Sequence, residues 1–212
     1  MFATARTMFA RTAIAFAPTV ALMLITAGVT PALARGQHGD GAAPSRIAPR
    51  DASQFDFFIG QWELVVKPAA TTLAARIHGA PKLLGSWKAW RTLEGWGVDD
   101  ELRITDASGN PAALTHALRV YDATAKKWNS TGVDAYRGVV SGSTGEFRDG
   151  KMILNGRGTD PEGKAYWSRS TFSDITPKSF TYTQERSFDE GKSWSAPAIT
   201  IEAKRVAAIA PR

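Results

Sequence analysis

The chain has 212 residues, 43% of them hydrophobic, with 26 Lys and Arg against 20 Asp and Glu and no cysteine. A formal charge of +6 interleaved with acids is too weak to mark a nucleic-acid binder. Without thiols the fold depends on neither disulfides nor thiolate metal sites, so a hydrophobic core must hold it.

The opening residues read as an export signal. Arg6 and Arg11 form a basic region without acids, Ala13 to Thr26 is almost wholly apolar, and Ala32-Leu33-Ala34 supplies a small-x-small cleavage signature. The expected signal peptide is 1–34, and a mature chain from Arg35 carries a charge of +4 and is periplasmic or secreted. The other reading, an uncleaved anchor, wants about 20 unbroken apolar residues, and Pro18 interrupts a run that is already short. No other long apolar run exists, so no stable membrane anchor is expected after cleavage. Residues 35–53, rich in Gly, Ala, Pro and charge, read as a flexible lead-in, 54–206 as one domain and 207–212 as a C-terminal tail.

Gln54 to Ile59 is a compact aromatic run that breaks at Gly60, where a residue without a Cβ lets the chain turn. Trp62, Leu64 and Val66 then alternate with Glu63, Val65 and Lys67. This reads as a plug feeding the first strand of a closed sheet. In Ala69 to Gly85, Leu73, Ile77 and Leu84 are spaced as in a short amphipathic helix interrupted by Gly79 and Pro81. Such a segment lies across one barrel mouth, either as a lid over a site or as a plain cover for core.

From Ser86 onward short strands and turns alternate. Trp87 to Leu93, Val98 to Ile104, Leu114 to Tyr121, Trp128 to Tyr136, Met152 to Arg157, Ala165 to Phe172, Ser179 to Ser187 and Ser195 to Val206 are strand-like. Turn clusters such as Asp106 to Pro111 and the Asp149-Gly150 pair separate them. With the segment punctuated by Gly138, Gly142 and Gly145, the set comes to roughly ten strands. Meander order with hairpin-length connections favours an antiparallel up-and-down barrel over a sandwich, because closing the sheet removes both exposed edges. Since about eight strands already enclose one small ligand, about ten leave a cavity that side chains need not fill.

Ser187-Phe188-Asp189-Glu190-Gly191-Lys192-Ser193-Trp194 resembles the Asp-box hairpin of sialidase propellers. A single copy carries no sialidase chemistry: Asp189 accepts backbone N–H bonds inside the turn and Gly191 takes a φ that other residues resist.

Gly60-x-Trp62 at the start of a first strand resembles the opening of lipocalin-like, or calycin, barrels. Together with Phe55-Asp56-Phe57-x-Ile59, Leu118-Arg119-x-Tyr121-Asp122, Phe172 to Pro177 and Asp189-x-Gly191-x-x-Trp194, it resembles a bacterial family of secreted lipocalin-like proteins of the calycin group. The resemblance implies an all-β, lipocalin- or nitrobindin-like barrel with an internal cavity, in which Trp62 closes one end and a late basic residue stacks on it. Arg205, in phase with Ile199, Ile201 and Ala203, is the expected partner. Fold does not bring an activity with it.

Alternation assigns candidate faces. Leu114, His116, Leu118 and Val120 share one, Val98, Asp100, Leu102 and Ile104 another, and Phe180, Tyr182, Gln184, Arg186 and Phe188 a third. If these point inward, His116, Asp100, Tyr182, Gln184 and Arg186 are polar groups in an apolar cavity, paired with one another, as Asp100 with Arg186, or serving a ligand. The first expectation is a small, partly apolar ligand, with no cofactor. A nitrobindin-like haem site would need His116 as axial ligand, because His78 lies in the irregular segment and His38 in the lead-in. A hydrolase or isomerase would pair His116 with Asp100. No nucleophile elbow, zinc motif, phosphate loop or paired-carboxylate signature is present, so no catalytic or metal-binding residue is assigned.

Overall fold

Ten strands form where the alternation is strongest: β1 (Gly60–Pro68), β2 (Leu83–Thr92), β3 (Gly97–Thr105), β4 (Pro111–Asp122), β5 (Lys127–Asp134), β6 (Val139–Arg148), β7 (Lys151–Thr159), β8 (Ala165–Ser173), β9 (Ser179–Ser187) and β10 (Ile199–Ala207). The structure, a computed structural model, describes residues 47–70, 73–160 and 162–207. The expected signal peptide, the lead-in up to residue 46 and the tail beyond Ala207 lie outside the described residues.

Every strand pairs antiparallel with its neighbour in sequence, and β10 returns to β1, so the sheet is a closed ten-stranded barrel. Closure leaves no strand with an unpaired edge. On β1 the period of two is plain: Trp62, Leu64 and Val66 are buried inside, while Glu63 and Lys67 are exposed outside. Lys67 forms an ion pair with Glu202 across the outer face of β1 and β10.

One end of the barrel is filled by a 3-10 helix, Arg50–Phe58. It begins four residues before the Gln54 boundary expected for the domain, and Ala52 is buried, so the last residues of the expected lead-in belong to the core. Phe55 meets Trp128 edge-on at 4.8 Å, and Phe58 meets Trp87 at 4.9 Å and Phe172 at 5.4 Å between ring centroids. Edge-to-face pairs of this kind contribute about 0.5–1.5 kcal/mol each beyond the area they bury. So short a helix leaves carbonyls unpaired at its end, and side chains of the barrel supply the donors. Trp62 Nε1 donates to Phe58 O at 2.7 Å, Arg205 donates to Phe57 O and Ile59 O, and Arg91 donates to Ala52 O at 2.9 Å while pairing with Asp56. Gly60, at φ 138°, then turns the chain from plug into strand in a conformation that L side chains rarely adopt.

The Arg205 guanidinium also lies 4.1 Å above the Trp62 ring, in the strand register that pairs the two residues. Trp62 therefore touches the plug, the first strand and the last.

The opposite end carries the β1–β2, β3–β4, β5–β6, β7–β8 and β9–β10 connections. The helix there, α1 (Leu73–His78), is shorter than the amphipathic segment expected over Ala69 to Gly85. Gly79, at φ 85°, ends it. Ile77 is exposed, and Leu84 falls on the outer face of β2, so the helical spacing of those residues does not describe one buried stripe.

In the β9–β10 connection Asp189 accepts from Ser193 N (2.9 Å) and Ser187 Oγ (2.7 Å), and also from Ser193 Oγ. The Ser193 and Ser187 bonds hold its carboxyl down at about 2. A depressed carboxyl contributes stability that is complete above its ordinary value near 3.8 and is lost as pH falls toward about 2. Asp189→Ala is accordingly expected to lower the urea midpoint at pH 7 and to converge with the unsubstituted protein at the acid limit. Trp62→Ala is expected to cost about 3–5 kcal/mol, the range for large aromatic truncations in cores. An unchanged denaturant midpoint for that variant would contradict the role given to Trp62.

Candidate functional site

The inner face changes character along the barrel axis. At the plug end the inward residues are large and buried: Tyr121, Trp128, Met152, Phe172 and Phe180. Toward the other end the same strands present Thr115, Ser143, Ser168, Ser170 and Gln184, all of which keep partial solvent accessibility. Small hydroxyl side chains fill less of so wide a barrel than the aromatic residues do, and the wall there is polar.

A buried polar cluster stands at the boundary. Asp100, 2% exposed, accepts from Trp87 Nε1 at 2.6 Å and forms an ion pair with Arg119, itself 7% exposed. The guanidinium sits 5.4 Å from the ring centroids of both Phe55 and Phe58, on the inner surface of the plug. Burial lowers its pKa to about 10, against the opposing pull of Tyr182 and Asp99, so it stays charged at neutral pH. Arg119 Nε finds no hydrogen-bond partner among the described residues, and neither does Ser130 Oγ, which belongs to the residue opposite Arg119 in the β4–β5 register.

Across the barrel, β9 turns Phe180, Tyr182, Gln184 and Arg186 inward. The Tyr182 hydroxyl lies 2.9 Å from Ser170 Oγ, and burial raises its pKa against the counter-pull of the Ser170 bond and of Arg119. Arg186 stacks on Tyr166 at 4.5 Å, and its Nε also lacks a partner among the described residues. Phe188, expected on the same face, lies beyond the end of β9 and is exposed.

Of the five candidate ligand residues, the structure brings Asp100, Tyr182, Gln184 and Arg186 to the interior and puts His116 outside. His116 is half-exposed, with Nε2 3.1 Å from Asp99 Oδ1 and the ring 6.0 Å from Trp90. The face of Leu114, His116, Leu118 and Val120 is thus the outer face of β4, and Ala113, Thr115, Ala117, Arg119 and Tyr121 line the inside. The cause is a register shift between Ile104 and Thr105: Thr105 pairs with Pro111, but Ile104 pairs with Ala113. Without that extra residue Asp100 would stand opposite His116; with it, Asp100 stands opposite Ala117. A haem site or an acid–base pair built on His116 therefore has no imidazole from this strand inside the barrel. The partner of Asp100 is Arg119, not Arg186.

Arg119, Ser130 and Tyr166 were not among the candidate ligand residues, although Arg119 stands in the Leu118-Arg119-x-Tyr121-Asp122 motif. Arg119 shares parity with Tyr121, and that was the available signal. Gly60, Trp62 and Arg205 lie at the plugged end, where Trp62 stands opposite Trp87 and Gly60 opposite Ala89 in the β1–β2 register. Among the described residues no group of three His, Cys, Asp or Glu side chains could hold a metal ion. An open groove of about 330 Å³ outside the plug, between Pro49 and Arg91, is lined by Arg91 and Asp56, which already pair with each other.

No protein-family model and no curated protein sequence matches the chain. Among solved structures it is similar to the S-type phycobiliprotein lyase from Guillardia theta, at 10% identity and a TM-score of 0.45 over 74% of this chain and 92% of that one. It is also similar to a redesigned beta barrel, at 9% identity and a TM-score of 0.38 over 76% and 98%, and to a de novo designed fluorescence-activating beta barrel, at 11% and 0.35 over 74% and 98%.

Removing one partner of a buried ion pair strands the other, at about 3–5 kcal/mol, whereas removing both avoids that penalty. Arg119→Met is expected to fall in that range, and Arg119→Met with Asp100→Asn to lose clearly less than the sum of the two single losses in urea unfolding. Strict additivity would contradict the pairing.

Proposed function

We propose that this protein binds a small, partly apolar molecule inside its barrel, and does so after export to the periplasm or the medium. The observation that carries the reading is the pair of buried groups without partners, Arg119 Nε and Ser130 Oγ, at the edge of the half of the barrel lined by small polar side chains. A buried donor left unmade costs about 1–3 kcal/mol, and a ligand acceptor that meets it recovers that cost. Leu102, Tyr182 and Ile199, inward and only partly buried, offer apolar contact, and Tyr182 and Ser170 a hydroxyl pair on the wall. This is the usual make-up of a small-molecule site: mostly apolar surface with a few convergent polar groups.

The reading requires no cofactor and assigns no catalytic residue. Its physical content is a cavity whose affinity comes from partly accessible apolar wall residues such as Leu102 and Ile199 and whose orientation comes from Arg119, Ser130 and Tyr182. Nile red, whose emission reports an apolar surrounding, is expected to be taken up saturably at one site per chain. Ser143→Phe, which places a ring in the interior, is expected to weaken that uptake at least tenfold while leaving the far-ultraviolet circular dichroism unchanged. Native mass spectrometry of protein from its own envelope is expected to show a small-molecule adduct released on denaturation. Absence of dye uptake by the unsubstituted protein would overturn the reading.

A further inference from the structure

Arg186 is a cation on the inner wall with no anion assigned to it. It stands on the inner face of β9, opposite Ser168 of β8, and its guanidinium carbon lies 4.5 Å above the Tyr166 ring. That ring is itself seated by Gly158, where a Cβ would come within 2.6 Å of it. The stack fixes the plane of the guanidinium without using its N–H groups, and Nε has no partner among the described residues.

The acids that could neutralise it are committed elsewhere. Glu185, its neighbour in sequence, points to the outer face and accepts from Arg169 at 2.8 Å. Asp189 is bound within its own turn by Ser187 and Ser193. Asp100 is paired with Arg119, and Asp134 accepts from the backbone N–H groups of Tyr136 and Arg137. Among the described residues no carboxylate forms an ion pair with Arg186. A charge withdrawn from bulk water without a counter-charge is unfavourable, and a planar, weakly hydrated guanidinium with unspent donors is the side chain best suited to receive an oxyanion in two parallel hydrogen bonds.

We infer that the ligand carries an oxyanion, a carboxylate or a phosphate ester, which Arg186 receives in the mouth-side half of the barrel while the apolar remainder runs along Leu102, Tyr182 and Ile199. This rests on the reading of the barrel as a binding cavity and adds a charge requirement to it. Glu185 and Asp189, held in their own bonds, leave that charge free for the ligand.

Three ligands with one tail separate the two readings: octanoate, octyl phosphate and octan-1-ol, each titrated against Nile red bound to the protein. The expected result is that at least one of the two anions displaces the dye at a concentration at least tenfold below that of the alcohol, the better anion identifying the head group. Arg186→Gln is expected to bring that anion to within about threefold of octan-1-ol while leaving the alcohol itself unchanged, the loss expected when a charge-assisted pair is removed. Arg186→Lys is expected to retain part of the preference. Arg157→Gln, which removes a cation stacked on Trp167, is expected to retain all of it. If octan-1-ol matches both anions on the unsubstituted protein, or if the preference survives in Arg186→Gln, the anion assignment is overturned and the cavity stands. If the unsubstituted protein takes up no dye and no alcohol, the cavity reading falls and this inference falls with it. The comparison of anion with alcohol on the unsubstituted protein decides the matter even where the glutamine variant does not fold.

Discussion

Arg205 and Trp62 hold one end of the barrel shut, and the rest of the structure depends on that closure. Ten strands enclose more space than side chains from the wall can fill. The chain meets the excess at one end by folding an aromatic helix into it, and that helix is too short to satisfy its own backbone. Arg205, Trp62 and Arg91 supply the missing donors from three different strands. The guanidinium of Arg205 then covers the indole, so the first strand, the last strand and the plug are joined at one point. Arg205 also donates to Pro177 O at 2.7 Å and Arg91 to Gly95 O at 2.9 Å, so each cation ties the plug to a neighbouring turn as well as to its own strand.

An asymmetric interior follows. The plug uses the large aromatic residues at its own end; beyond it Val66, Ile104 and Ile201 keep one side of the interior apolar, while β5, β6 and β8 present serine and glycine. Where the two halves meet, the dielectric falls sharply, and a polar group is either paired or costly. Asp100 and Arg119 are paired, with Trp87 and two phenylalanine rings around them. The polar wall beyond carries donors in excess of what the protein itself uses.

Strand positions and turns were largely legible, because period two and turn chemistry are local. β9 spans the same residues as its alternation predicts, and Asp149-Gly150 makes the hairpin its sequence asks for, both residues at positive φ. The boundary at Gln54 was not legible: Arg50 to Ser53 look like linker by composition, and only contact with the barrel makes Ala52 part of the core. The helical spacing of Leu73, Ile77 and Leu84 misled for the opposite reason, since periodicity without a partner surface does not bury anything.

The sequence by itself determined an all-β chain without disulfides, its number of strands, its aromatic plug and the residues of β9 that share one face. These follow from side-chain period, turn propensity and composition, which act within a few residues. Which face of β4 turns inward was decided by one additional residue, Ala112, opposite the Ile104–Thr105 step, a feature of pairing between two strands that neither strand encodes alone. That shift sent His116 to solvent and brought Arg119 to Asp100. Register is a property of the closed sheet, settled by the summed fit of every strand to its two neighbours, and so the identity of the buried cation belonged to the tertiary structure.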